Sequence, residues 1–181
     1  ALRAEPATAA AVTGRQREGF DVAYARWVFC FLADPEGAVR DLAGVIKPGG
    51  RVAIQDYFNY TSMTLAPRSE AYTAIVEATA RSWRSRGGDP DIVSRLPAML
   101  ARHGFEVTHL DVRQRLARPG SLLWTWPESW WKSFVPRLTQ MGFITPAQET
   151  EFFAAWARAS ADPHAFTLVP PVFDLVAVRK G

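Results

Sequence analysis

Two short apolar segments separated by a helix-length stretch constrain this chain more than any other feature. Phe20-Asp-Val-Ala-Tyr-Ala25 opens a dense apolar run that reads as a buried strand. Asp34-Pro-Glu36 then offers an N-cap with proline at the first helical position. Val39, Leu42, Ala43 and Ile46 recur at the i, i+3, i+4, i+7 spacing of one helix face. Lys47-Pro-Gly-Gly50 is expected to stop that helix, and Val52, Ala53 and Ile54 form a second short strand. Strand, helix and strand within about 35 residues make a right-handed crossover unit, so the two strands lie parallel. The fold class that follows is α/β, and 181 residues are of the size of one domain.

Downstream, a long helix is expected from about Arg68 to Arg86, with Tyr72, Ile75, Val76, Thr79 and Trp83 on its apolar face. Gly87-Gly-Asp-Pro90 breaks it, and a shorter helix ends at Arg102-His-Gly104. Phe105 to Leu116 reads as a third strand and Val172 to Arg179 as a fourth. Between them lies a mostly helical, Trp-rich insertion over 114–165, whose last helix opens on the capping box Thr145-Pro-Ala-Gln148. Residues 1–19 are alanine-rich, without a sustained period, and read as a poorly ordered lead-in to the domain over 20–181.

Composition narrows the function classes. At 48% hydrophobic and 22% charged residues, disorder is excluded for most of the chain. No apolar run approaches the ~18 residues of a membrane span. The N-terminal residues carry no basic-then-apolar signal pattern, and the lone Cys30 forms no intramolecular disulfide. A reducing, cytoplasmic setting is therefore expected. The net charge of +3 comes mostly from arginine, with only Lys47, Lys132 and Lys180 as lysines. The densest basic stretch, Arg81 to Arg86, has helical spacing and reads as a solvated helix end, so neither nucleic acid nor membrane is expected as a partner. The histidines and Cys30 show no metal-ligand spacing, and no metal site is expected.

Phe20 to Pro35, followed by a helix and then Lys47-Pro-Gly-Gly-Arg-Val-Ala-Ile-Gln-Asp-Tyr57, resembles the class I S-adenosylmethionine-dependent methyltransferases. By that resemblance the first segment corresponds to the fourth strand of a seven-stranded, Rossmann-like sheet, and the Lys-Pro-Gly-Gly turn leads into the fifth. Gly104-Phe-Glu-Val107 is similar to the entry of the sixth strand, and Val172 to Lys180 to the last, antiparallel one. The resemblance implies a partial sheet in the order fourth, fifth, last, sixth. Its departure is the cofactor signature. A glycine-rich turn after the first strand and an acid ending the second should precede Phe20, where only Gly14 and Gly19 stand. The chain thus reads as the C-terminal half of such an enzyme.

The implied cofactor is S-adenosyl-L-methionine, and the junction after the fourth strand, Ala25, Arg26 and Trp27, is where the resemblance puts contacts to the cofactor's methionine and the substrate, against the alternative of a core Trp27 and a surface or pairing Arg26. Asp56 follows the next strand and is a candidate base or substrate-orienting carboxylate, against the alternative of a turn aspartate bonding its own backbone. His164, in a loop before the last strand, is a second base candidate, against a surface role. Tyr57 and Tyr60 are candidates to wall a substrate pocket, since aromatic faces attract a sulfonium as they attract ammonium. Trp124, Trp126, Trp130 and Trp131 form either an aromatic lid over the substrate or the insertion's own core, the latter expected for at least two of them. Trp124 and Trp126 are the substrate-binding candidates.

The leading function is methyl transfer to an O, N or C nucleophile of a small molecule. Such a displacement depends on in-line positioning and desolvation more than on acid–base chemistry. The alternative is a non-catalytic α/β domain that binds a small ligand or a partner protein. A nicotinamide-dependent oxidoreductase is a third reading, which would also require a glycine fingerprint. With half of the sheet missing, the first strand becomes an edge, so either a homodimer through this edge or aggregation is expected.

Overall fold

A computed structural model describes residues 19–181, and the expected lead-in lies, except for Gly19, outside the described residues. Strand β1 (Phe20–Arg26) is followed by a single 3-10 turn and helix α1 (Pro35–Val45), capped by Asp34, whose Oδ1 accepts the Gly37 N–H at 2.8 Å. Helix α1 ends two residues before Lys47, and Ile46 is already extended. Strand β2 (Ile46–Tyr57) runs through the Lys-Pro-Gly-Gly segment, which therefore starts the strand rather than forming a separate stop. Gly49, at φ +78°, supplies the left-handed residue that bends it.

After β2 come β3 (Thr64–Ala66), α2 (Glu70–Arg84), α3 (Leu96–Arg102) and β4 (Phe105–Arg113). The third expected strand thus stops at Arg113, and Leu116–Ala117 forms a separate two-residue strand, β5. The insertion consists of α4 (Leu122–Gln140) and α5 (Pro146–Ala161), followed by β6 (Phe166–Leu168). The capping box is formed: Thr145 accepts the Gln148 N–H at 3.2 Å, and Gln148 Oε1 accepts the Thr145 N–H at 2.9 Å. Within the expected mostly helical insertion the sequence reading assigns no bounds to α4, because Pro127 and Pro136 stand inside it.

The main sheet has the order β1-β2-β7-β4, where β7 is Val172–Arg179. Strands β1 and β2 are parallel, and β7 runs antiparallel to both β2 and β4. This is the partial order fourth, fifth, last, sixth. A second sheet, β3-β6-β5, is built of strands of two or three residues.

Val52, Ile54, Leu175 and Ala177 point to the helical side and are fully buried. On the opposite face Val22 and Tyr24 are 61% and 62% exposed. The core continues from the sheet into the helices through Tyr72 of α2, Trp131 of α4, and Phe152 and Trp156 of α5. Among the described residues, no helix is long and apolar enough to cross a membrane.

Candidate functional site

Strands β1 and β2 end side by side, and in open α/β sheets ligands bind beyond the carboxyl ends of parallel strands. Here the first residue past β1 is Trp27, in the left-handed region at φ +55°, a conformation that costs a bulky side chain on the order of 1–3 kcal/mol. Its N–H donates to the Gln55 carbonyl at 2.9 Å, which extends the β1–β2 ladder by one bond while the chain turns away. The turn lays the Trp27 indole parallel to Tyr57, with ring centroids 6.1 Å apart, and parallel to Trp126 of α4 at 5.6 Å.

An aromatic box results. Tyr57 meets Tyr60 edge-on at 5.4 Å, Tyr60 meets Trp83 at 4.9 Å, and Trp83 meets Trp130 at 6.2 Å. Together with Phe31, Met63, Pro127 and Pro170 these rings enclose a cavity of about 300 Å³. Tyr60 is held by its backbone N–H, which donates to Asp91 Oδ1 at 3.1 Å, and Asp91 is itself anchored by Arg84 at 2.6 Å. No lining residue of the box carries a charge at neutral pH. Burial pushes the Tyr57 and Tyr60 phenols above their ordinary range, so both stay protonated.

A second cavity of about 630 Å³ adjoins the box, sharing Trp27, Trp126 and Pro170 with it. Its floor is a polar row that crosses the sheet. Tyr24 of β1 donates to Gln55 of β2 at 2.6 Å, Gln55 donates to Asp174 of β7, and Arg113 of β4 pairs with Asp174 at 2.8 Å. Arg26 and Arg115 complete its charged lining, and the Arg26 guanidinium lies 4.1 Å from the Trp27 ring centre.

The structure brings Arg26, Trp27, Tyr57, Tyr60 and Trp126 together around these two cavities, with Ala25 immediately behind in β1. Asp56, in contrast, lines neither cavity and is 0% exposed. Its carboxylate accepts the Cys30 N–H at 3.2 Å and the Tyr57 N–H at 3.0 Å, tying the turn after β1 to the end of β2. Desolvation raises its pKa. Trp124 is buried in the α4–α5 contact, stacked 4.4 Å from Trp156 with its indole N–H donating to Ser160 at 3.3 Å. Trp131 is likewise buried. His164 is exposed and lines neither cavity. Sequence reasoning missed Trp83 as a wall of the box, because its position on the apolar face of α2 is also that of a core residue. Nor did it place Met63 or Pro170, which carry no periodic signal.

Residues 6–54 match the family model described as a methyltransferase domain. A search of curated proteins finds no match. Among solved structures, a candidate methyltransferase from Bacillus halodurans is similar at TM-score 0.53 and 14% identity, over 91% of this chain and 71% of that one. The YcgJ protein from Bacillus subtilis follows at TM-score 0.47 and 15% identity, over 91% and 65%. The [4+2]-cyclase SpnF is similar at TM-score 0.44 and 15% identity, over 90% and 50%. The chain thus spans half to about seven-tenths of the length of these structures. The matched segment and the fold bear out the resemblance to class I S-adenosylmethionine-dependent methyltransferases.

Proposed function

We propose that this chain carries the methyl-acceptor side of an S-adenosylmethionine-dependent methyltransferase acting on a small molecule with an apolar, planar body. The observation that supports this reading is the aromatic box beyond the adjacent ends of β1 and β2. When bound, the cofactor supplies an electrophilic methyl group. The uncharged aromatic walls of the box fit a sulfonium. No glycine-rich turn followed by a ribose-binding acid is found among the 181 residues, so this fit is partial.

The chain's own part is positioning and exclusion of water. Walls of tryptophan and tyrosine desolvate the acceptor, and methyl transfer is slowed by water that solvates the nucleophile. Trp27, fixed by its backbone bond to Gln55, sets the distance between the two cavities. The Tyr57 phenol, kept neutral by burial, is available as a donor that orients an acceptor oxygen or nitrogen. In this reading Asp56 acts behind the site, by holding the Tyr57 and Cys30 backbone, and not as a base. His164 has no part in it.

A second reading has an observation of its own. The box is lined by no carboxylate or imidazole, which is also what a ligand-binding domain without catalysis would need. Titration calorimetry with S-adenosylhomocysteine separates the two. The enzyme reading expects measurable but weak binding, with a dissociation constant above about 10 μM, equivalent to roughly 7 kcal/mol. No heat at millimolar ligand favours the binding domain. Tighter binding would show that the partial contacts suffice and that the expected weakness is wrong.

A further inference from the structure

We propose that the molecule seated in the aromatic box carries an anionic substituent, held by Arg26 and Arg115 in the adjoining cavity. This rests on the acceptor reading of the box given above. The two cavities share one wall of Trp27, Trp126 and Pro170, so a ligand whose ring system lies in the first has its substituent directed into the second. The first carries no charge, and its polar groups are the phenols and indole N–H groups of its rings. The second carries three arginines, Arg26, Arg113 and Arg115, against one carboxylate, Asp174.

That carboxylate is already committed. Asp174 takes the Arg113 guanidinium at 2.8 Å and the Gln55 amide on its other oxygen, within a row fixed by Tyr24. Among the described residues, Arg26 and Arg115 have no carboxylate within 4.0 Å. Two unpaired guanidiniums bordering a concave site create a positive potential focused by the apolar wall beside it, and guanidinium forks suit a carboxylate, sulfate or phosphate group. Cationic ligands are disfavoured by the same charge, although the aromatic faces alone would accept them. The arginines therefore decide the sign of the substituent, while the box decides the shape of the body.

The test uses one ring system with three charges: 2-naphthoate, neutral 2-naphthamide and 2-naphthylmethylammonium. Binding to the whole chain is followed by quenching of tryptophan fluorescence and by calorimetry, without cofactor. The expected result is that the acid binds at least about tenfold more tightly than the amide, and the amide more tightly than the ammonium. The double variant Arg26→Ala with Arg115→Ala should bring acid and amide to equal affinity without weakening the amide. Arg26→Lys with Arg115→Lys should restore most of the preference, which separates charge from loss of fold.

Equal affinities for the three probes in the parent chain, an ammonium preference, no binding of any of them, or a preference for the acid that survives the double alanine variant would each overturn the proposal. Failure of the methyltransferase reading looks different. In that case S-adenosylhomocysteine gives no heat while the acid preference persists.

Discussion

Asp56 concentrates the chemistry that a sequence reading would assign to catalysis, yet its surroundings give it structural work. Its two oxygens accept two backbone N–H groups, from Cys30 and Tyr57, in a fully buried setting. In Asp56→Asn one of those N–H groups faces an amide NH₂, leaving a buried donor unpaired at a cost of about 1–3 kcal/mol. Urea denaturation at neutral pH should read that loss. The raised pKa adds a pH signature. Because the folded form holds this proton more tightly than the unfolded chain, folding stability falls as pH rises from the ordinary aspartate range through the raised value, and is flat beyond it. Melting temperatures across that window should decline in the parent chain from this group and lose that component in Asp56→Asn. An unchanged slope would mean that the carboxylate is solvated in the folded state.

At the scale of elements, α4 is the one whose stability conflicts with its composition. A proline inside a helix removes an N–H and crowds the preceding turn, at about 3 kcal/mol. Pro127 is buried and forms part of the box wall, so its position serves packing. Pro136 lines neither cavity. Pro136→Ala should therefore stabilise the fold by about 1–3 kcal/mol in chemical denaturation, and destabilisation would show that the helix is built around the kink. The same prolines explain what was legible. The crossover β1-α1-β2 and strand β7 announce themselves by local apolar runs and caps, so the order of the main sheet follows from sequence and resemblance. Strands β3, β5 and β6, at two or three residues, are too short to show a period. Of the site, Tyr57, Tyr60 and Trp126 were legible as aromatics near strand ends. The left-handed turn at Trp27 was not, because nothing marks a bulky residue for a conformation it rarely adopts. Nor does the sequence separate Trp126 from Trp124, two positions earlier on one helix, one facing the cavity and the other packed on Trp156.

Among the described residues, one outer strand has an unusual character. Among the described residues β1 pairs only with β2, and Phe20, Val22 and Tyr24 stand exposed along it. An edge of seven residues, five of them apolar, without a guarding lysine or proline of its own pairs readily with another strand. The chain alone is therefore expected to dimerise or aggregate through this edge. Size-exclusion chromatography with light scattering over a concentration series should show mass rising with concentration, and a concentration-independent monomer would overturn the expectation. The opposite interior of the sheet has a consequence in time. Strand β7 lies between β2 and β4, yet it follows both in the chain, and Gln55 and Asp174, joined across the β2–β7 boundary, are 119 positions apart. A nascent chain leaving the ribosome thus presents β2 and β4 with an empty slot between them, and the sheet closes only when the strand that fills the slot has been synthesised. Until that moment every earlier strand is in effect an edge, and the span of synthesis between Tyr57 and Val172 is the period during which this protein has most need of a chaperone.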